Sequence, residues 1–117
     1  MTEHVVLGAT PRLAPMLVSS MARGLVRRAT GRRPESLPDR EVMLATTQVS
    51  DRAAAYQRLC GFAVRDLVPA TWIHVLAFPL QMQLMSAPDS PFALAGIVHV
   101  TNSMTLYRPV SVSEKLM

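Results

Sequence analysis

The chain has 117 residues, and half of them are hydrophobic, so its length and composition suit one domain with an apolar core. No apolar run approaches the roughly 20 residues of a transmembrane helix. The single cysteine, Cys60, excludes an internal disulfide and fits a reducing compartment, so we expect a cytoplasmic protein. Its position between Leu59 and Gly61 predicts a small core residue rather than a nucleophile.

The formal net charge of +4 is concentrated near the N-terminus. Residues 1–33 contain six arginines and a single acidic residue, Glu3, whereas basic and acidic side chains nearly balance in residues 34–117. The basic character therefore belongs to one segment rather than to the whole surface.

Residues 11–30 predict an amphipathic helix with Pro11 in its first turn, arginines in its last turn and Gly31 after its end. A basic amphipathic helix can bind an anionic membrane or nucleic-acid phosphates. Since no aromatic residue precedes Tyr56, we expect no nucleic-acid partner. We favour a helix packed across the outside of the domain with solvated arginines, and a membrane surface stays open as the alternative.

Residues 34–39 combine two prolines with serine and charged residues, a composition typical of a linker. This stretch predicts two units. The first, residues 1–36, holds the basic amphipathic helix and the linker. The second, residues 37–117, holds the rest of the chain.

Two elements are predicted at the start of the second unit. Residues 41–49 indicate a first strand, although its alternation is weak. Residues 52–60 predict a second helix that is capped by Ser50 or Asp51 and directs Tyr56 and Leu59 inward.

The segment 68–110 has the strongest patterns. Because proline is tolerated in the first helical turn, Pro79 predicts a helix that begins there and ends before Pro88, with residues 71–78 extended. Residues 96–108 then alternate between apolar and polar positions, which predicts a half-buried strand. Its apolar face carries Val98, Val100, Met104 and Leu106.

Two runs within this segment, VPATWIHVLAFPLQMQLM and GIVHVTNSMTLYRPV, resemble the N-terminal half of two-module MaoC-like dehydratases. These are (R)-specific enoyl-thioester hydratases of hot-dog fold, and the actinobacterial members look most similar. The runs HVLAFP and YRP are the distinctive ones, and the resemblance extends from about residue 37 to the C-terminus. It implies an α+β fold in which an antiparallel sheet wraps a central helix.

Proteins of this two-module type are much longer, and this chain has too few predicted strands for a whole hot-dog. We therefore expect a partial hot-dog, either a truncated or split gene product or a module whose missing strands come from another polypeptide. An oligomer is expected, because an unpaired strand edge invites association.

The resemblance also implies that this chain lacks the catalytic pair. Catalytic modules carry Gly-Asp-x-Asn-Pro-x-His and then Ala-His-Gly-Met, and their Asp and His handle the proton and hydroxyl. On this chain Phe62 takes the position of the Asp, Leu67 that of the first His, and Phe78 that of the second His. The expected role is a non-catalytic half whose twin supplies the acid and the base.

Apolar residues at these positions leave a dry slot that suits an acyl tail. The predicted lining is Phe62, Leu67, Phe78, Met82 and Met85, with adaptable methionines. The alternative, that Met82 and Met85 are ordinary core residues, stays open. The expected partners are a thioester of coenzyme A or acyl carrier protein and a catalytic hot-dog half.

Other candidates are weaker. Asp66 and His74 lack a third group at useful spacing, and His99 is interpreted as a structural histidine on the strand. We find no metal-ligand spacing and no Gly-rich phosphate loop, so no metal or cofactor is expected. The alternative function is a stand-alone acyl-binding or assembly module without activity.

Overall fold

The computed structural model describes residues 1–32 and 34–117 and has α and β elements in one chain. Their order is β1 (Glu3–Leu7), α1 (Leu13–Thr30), β2 (Arg40–Leu44), β3 (Thr46–Thr47), α2 (Ser50–Leu59), α3 (Ala70–Ser86) and β4 (Lys115–Leu116), with a 3-10 turn at Leu94–Gly96. The predicted α+β class is therefore confirmed. None of the helices in the described ranges combines the length and apolar character needed to cross a membrane.

The strands form two small sheets. β1 pairs in parallel with β2, from Glu3 opposite Arg40 to Leu7 opposite Leu44, and α1 makes the crossover that a parallel pair requires. β3 and β4 form an antiparallel pair of two residues each. The predicted strand 41–49 therefore exists as β2 and β3, which belong to different sheets, while β1 was not predicted.

The core lies between α2, the first half of α3 and the C-terminal segment. Its buried members are Ala53, Val68, Trp72 and Val110, and the half-buried side chains packed against them are Tyr56, Ile73, Leu76, Val112 and Leu116. The indole ring of Trp72 lies 5.3 Å from the Tyr56 ring. This contact between two aromatic side chains joins α2 to α3.

The prediction that α3 begins at Pro79, with residues 71–78 extended, is wrong. The helix begins at Ala70, with the extended Pro69 before it, and Pro79 lies in its interior. An interior proline costs roughly 3 kcal/mol because it removes a hydrogen bond and crowds the preceding turn. Burying a large apolar side chain returns about 1.5–3 kcal/mol. The first half of α3 packs three such side chains against the core, Trp72 fully and Ile73 and Leu76 in part, so that together they exceed this cost. Tertiary packing therefore outweighs the local preference.

The predicted strand at residues 96–108 is also absent from this structure. Gly96 ends the 3-10 turn, and residues 97–106 belong to neither a helix nor a strand. A half-buried strand needs a neighbour for its backbone groups. Neither of the two sheets in the described ranges provides one for this segment.

The second helix is confirmed as α2, with three differences in detail. Val49 precedes it without a side-chain cap, so the predicted caps Ser50 and Asp51 are wrong. Tyr56 contacts the core, but Leu59 is exposed. Cys60 is also exposed, contrary to the expected core position, because the helix turns Ala53 and Gln57 inward and leaves its last residues in solvent.

The N-terminal helix is confirmed as α1, but the predicted start with Pro11 in the first turn is wrong, because the helix begins at Leu13 after the extended Arg12. It ends at Gly31, whose φ of 66° is in the left-handed region that glycine adopts easily, and the Gly31 N–H donates to the Arg27 carbonyl at 2.8 Å. The expectation that its arginines are solvated is wrong for two of them. Arg23 donates to the carbonyl of Ser86, and Arg27 donates to carbonyls just beyond α3. These carbonyls have no partner within α3, so cationic donors from α1 satisfy them.

Candidate functional site

The loop between α2 and α3 carries the first of the apolar positions that the resemblance singled out. It begins at Gly61, whose φ of 76° lets the chain turn away from the helix axis. On its other side the loop is joined to the C-terminal segment. The Val68 N–H donates to the Val110 carbonyl at 2.9 Å, and the Val112 N–H donates to the Asp66 carbonyl at 2.7 Å.

One buried glutamine fixes the shape of this loop. Gln57 lies on the inner face of α2 with 2% of its surface exposed. Its Oε1 accepts a hydrogen bond from the Arg65 N–H at 3.1 Å, and its Nε2 donates to the carbonyls of Arg65 at 3.3 Å and Leu67 at 3.2 Å. The amide therefore pairs with three backbone groups of a segment that has no regular secondary structure.

A second buried glutamine holds the C-terminal segment. Gln48 accepts a hydrogen bond from the Trp72 indole N–H at 3.1 Å and donates to the carbonyls of Ser111 and Glu114 at 2.8 and 3.1 Å. Neither glutamine was predicted from the sequence. For Gln57 the available signal was its position four residues after Ala53, on the inward face of a helix.

Phe62 and Leu67 lie at the two ends of the loop. The Phe62 ring stacks on Tyr56, with 6.4 Å between ring centroids and 24° between ring planes. Leu67 forms an isolated antiparallel bridge with Ser111. Both side chains remain exposed, so each is available to a further molecule on this side of the domain.

The other three predicted residues lie on α3. Phe78 is 39% exposed, and its ring meets the His74 ring edge-on at a centroid distance of 6.2 Å. Met82 is buried. Met85 lines an open groove of about 570 Å³, together with Leu37, Pro38, Arg40, Leu84, Ser90, Phe92 and Ile97.

None of the five main surface grooves of the described chain is lined by more than one of the five predicted residues. The structure brings Phe62 and Leu67 to one loop, and it places Phe78, Met82 and Met85 along one helix. The tunnel itself stays a prediction.

Arg40 organises the charges beside this groove. Its guanidinium donates to Glu3 on β1 at 2.8 Å and to both carboxylate oxygens of Asp89, just after α3, at 3.1 and 2.8 Å. The hydrogen bonds from Arg40 lower the pKa of Asp89 below its ordinary value, and those to Glu3 and Asp89 raise the pKa of Arg40.

A similar pair closes the C-terminal turn. Arg108 donates to both carboxylate oxygens of Glu114 at 3.1 and 2.9 Å. This hydrogen bonding, followed in importance by the bond from the Ser111 N–H, lowers the pKa of Glu114. Both carboxylates are therefore held in the ionised, hydrogen-bond-accepting form, which stabilises turns rather than supplying protons.

The remaining titratable candidates lie apart from one another. Asp66 and His99 are exposed, and His74 packs against Phe78. A close histidine–carboxylate pair, His4 Nδ1 to Glu41 Oε2 at 2.8 Å, joins β1 to β2 on the surface. Within residues 1–32 and 34–117, no three His, Cys, Asp or Glu side chains are grouped for a metal ion.

Comparison with known proteins gives one relative with clear similarity. Over 105 residues the chain is 33% identical to 3-hydroxyacyl-thioester dehydratase X of Mycobacterium tuberculosis. The matched segment covers 85% of this chain. No protein-family profile and no solved structure match the chain.

This similarity confirms the resemblance that the sequence motifs indicated and assigns the chain to the MaoC-like dehydratases. The particular relative is named for its action on 3-hydroxyacyl thioesters. The chain spans only 38% of the length of that relative.

Proposed function

We propose that this chain is the non-catalytic, acyl-chain-accommodating half of a MaoC-like (R)-3-hydroxyacyl-thioester dehydratase or enoyl hydratase in fatty acid metabolism. The observation that carries the proposal is the similarity to a 3-hydroxyacyl-thioester dehydratase. The motif resemblance supports it, because it implies that Phe62, Leu67 and Phe78 take the positions at which the family's catalytic modules carry the Asp and the two His. A phenyl ring or an isobutyl group can neither take nor return a proton.

The architecture proposed for the complete enzyme has α3 as the central helix of a hot-dog. This chain supplies the helix and part of the sheet, and the catalytic half, on the same or a neighbouring polypeptide, supplies further strands together with the acid and the base. In this proposal residues 1–36 form the accessory N-terminal unit, and residues 37–117 form the partial hot-dog.

The proposed ligand is the acyl tail of a thioester with coenzyme A or acyl carrier protein. The exposed ring of Phe78, the adaptable side chain of Met85 and the apolar groove beside it support an apolar ligand of variable length. In the proposed arrangement Phe62, Leu67, Phe78, Met82 and Met85 would line the tail once the second half covers them.

The first experiment compares the chain alone with the reconstituted enzyme. Purified residues 1–117 should not hydrate enoyl-CoA, since no acid–base pair is in place. Co-expression with the part of the mycobacterial relative outside the matched segment should give turnover. Activity of the chain alone that is lost in Asp66→Asn or His74→Gln would contradict the proposal.

The second experiment tests the role of Phe78 in the reconstituted enzyme. Phe78→Trp should shorten the space for the tail. Each methylene that is denied burial loses about 0.8 kcal/mol, so three methylenes reduce affinity by between ten- and a hundredfold. The Trp variant should therefore keep its rate on a four-carbon substrate and lose it on long ones.

Phe78→Ala is the matched control, because it should lengthen the space instead. Since Phe78 is 39% exposed, its removal should cost less than the roughly 3–5 kcal/mol typical of a buried phenylalanine. Equal losses on short and long substrates in the Trp variant would show that the tail runs elsewhere. Acyl binding by a chain that gains no activity with any catalytic half would favour a stand-alone binding module.

A further inference from the structure

The helix α1 turns its polar side toward the domain and its apolar side toward solvent. Ser20 is buried on the inner face, and Arg23 and Arg27 are half-buried beside it. The outer face has apolar residues at the spacing i, i+3, i+4, i+7, i+8, i+11 that defines one side of a helix. Its members are Val18, Met21, Ala22, Leu25, Val26 and Ala29, and all six are exposed. A helix on the surface of a globular protein normally has the reverse arrangement.

Contacts with the end of α3 and the segment after it fix this orientation. Arg23 donates to the Ser86 carbonyl, and Arg27 donates to carbonyls just beyond α3. Gly24 lies on the same side of α1, where an added Cβ atom would meet Ala93 at 3.8 Å. Rotating α1 to bury its apolar residues would leave these carbonyls without their cationic donors. The exposure of the outer face is therefore a consequence of the fold.

The outer face exposes a contiguous apolar surface. Its four large residues, Val18, Met21, Leu25 and Val26, are between 58% and 70% exposed. Met21 and Leu25 also border an open groove of about 420 Å³ between α1 and the 3-10 turn, so the apolar surface continues from the helix into the groove. Isolated apolar side chains on a surface need no explanation, but a contiguous patch marks a site of contact with a protein or a membrane.

The charges around the outer face distinguish between these two partners. The helix α1 contains no Asp or Glu. Arg12 precedes it, Arg28 lies in its last turn beside the groove, and Arg32 follows it. All three are exposed, and within residues 1–32 and 34–117 none of them forms an ion pair. An exposed apolar face with unpaired cations at its ends is the combination by which a helix binds an anionic membrane surface.

We propose that α1 is a membrane-docking element that lies along an anionic lipid surface, with its outer face among the acyl chains and Arg12, Arg28 and Arg32 at the phosphate groups. The helix lies along the surface because Arg23 and Arg27, on its other side, hold it to the domain. Its 18 residues extend about 27 Å. The inference is independent of the proposed function, since the contact requires neither a thioester nor a catalytic half.

A second copy of the chain fits this surface less well. If two α1 helices packed through their outer faces in parallel, Arg28 would lie beside Arg28. In the antiparallel arrangement Arg12 would lie near Arg32 of the other copy. Because α1 has no carboxylate to compensate, both arrangements oppose like charges, which disfavours association. The phosphates of an anionic lipid surface supply the missing negative charge.

Vesicle flotation of the full chain tests the apolar contact. Vesicles that mix phosphatidylcholine with phosphatidylglycerol should carry the chain to the top of a density gradient, whereas vesicles of phosphatidylcholine alone should not. Leu25→Gln should weaken binding at least about tenfold, because the burial of one leucine side chain is lost. Leu59→Gln is the matched control, since it makes the same change at an exposed leucine of α2 and should leave binding unchanged. Both leucines are exposed, so circular dichroism should show an unchanged fold.

Arg28→Gln tests the charge contact in the same assay. An arginine near an anionic surface raises the affinity about fivefold, so this variant should bind about fivefold more weakly. Arg52→Gln is the matched control, because Arg52 is an exposed arginine of α2. Binding of the wild-type chain should also decrease as the salt concentration rises, since salt screens the attraction between the arginines and the phosphates.

Three results of the flotation experiment would overturn the proposal. These are no flotation with the anionic vesicles, equal flotation with phosphatidylcholine alone, and equal losses in Leu25→Gln and Leu59→Gln. Sedimentation velocity identifies the other occupant. A wild-type dimer that Leu25→Gln dissociates, together with no vesicle binding by the wild-type chain, would assign the outer face to a second copy instead.

Discussion

Replacing Gln57 by methionine tests the claim that one buried amide shapes the loop bearing Phe62 and Leu67. Methionine keeps the length and bulk of the side chain but removes the three hydrogen bonds to the backbone of Arg65 and Leu67. Since each hydrogen bond contributes about 0.5–1.5 kcal/mol net, removing all three could lower the free energy of unfolding by up to several kcal/mol. Water can replace part of it, because the side chains of Arg65 and Leu67 are exposed.

We therefore expect Gln57→Met to lower the free energy of unfolding by about 1–3 kcal/mol, measured by urea denaturation. In a domain of this size this corresponds to a Tm lower by about 4–12 °C. Hydrogen exchange supplies a local readout, because the Arg65 amide loses its acceptor and should exchange faster. The effect should be centred on residues 62–68.

Gln81→Met is the matched control, since Gln81 lies on the exposed face of α3. The same chemical change there should alter stability by less than about 0.5 kcal/mol and leave the exchange of the Arg65 amide unchanged. If Gln57→Met were as stable as Gln81→Met, the loop would not depend on the buried amide. The account of how α2 positions Phe62 and Leu67 would then be refuted.

Two further predictions concern the charged contacts between elements. Arg27→Met should lower the free energy of unfolding by about 1–3 kcal/mol, measured by urea titration, because three carbonyls beyond α3 lose their donor. Arg28→Met, on the exposed side of α1, is the control and should change the free energy of unfolding by less than about 0.5 kcal/mol. Hydrogen bonds from Arg40 lower the pKa of Asp89 in the folded state below its ordinary value of 3.8. The ionised Asp89 carboxylate therefore contributes its full stabilisation at pH values above 3.8. This stabilisation is lost as the pH falls through the lower pKa of the folded state. The urea concentration at the unfolding midpoint should therefore decrease as the pH is lowered below about 4. An equally steep decrease in Arg40→Met would contradict the claim that the Arg40–Asp89 contact causes it.

The helices show how far local sequence signals extend. Residues 11–30 and 52–60 were predicted as helices because their side chains repeat with helical spacing and a glycine follows each of them, and α1 and α2 confirm that both helices exist. The signals for their starts, Pro11 and a cap at Ser50 or Asp51, are wrong. The family resemblance was likewise readable from short motifs in residues 68–110, and the mycobacterial relative confirms it. These features depend on neighbours within a few positions, so the sequence alone determined them.

Other features depended on contacts between distant parts of the chain. Proline at position 79 suggested a helix start, but α3 begins at Ala70 because its first half buries Trp72 against residues that come from α2 and the C-terminal segment. The alternation in residues 96–108 predicted a strand that the structure lacks, because a strand exists only when a neighbour accepts its hydrogen bonds. The sequence predicted that the arginines of α1 form a solvated basic face. In the structure two of them donate hydrogen bonds to carbonyls at the end of α3 and just beyond it. A local sequence pattern indicates which type of secondary structure a segment favours. Burial and hydrogen bonding between remote segments contribute larger free energies. They therefore decide where an element begins, which segment it pairs with and which of its faces is buried.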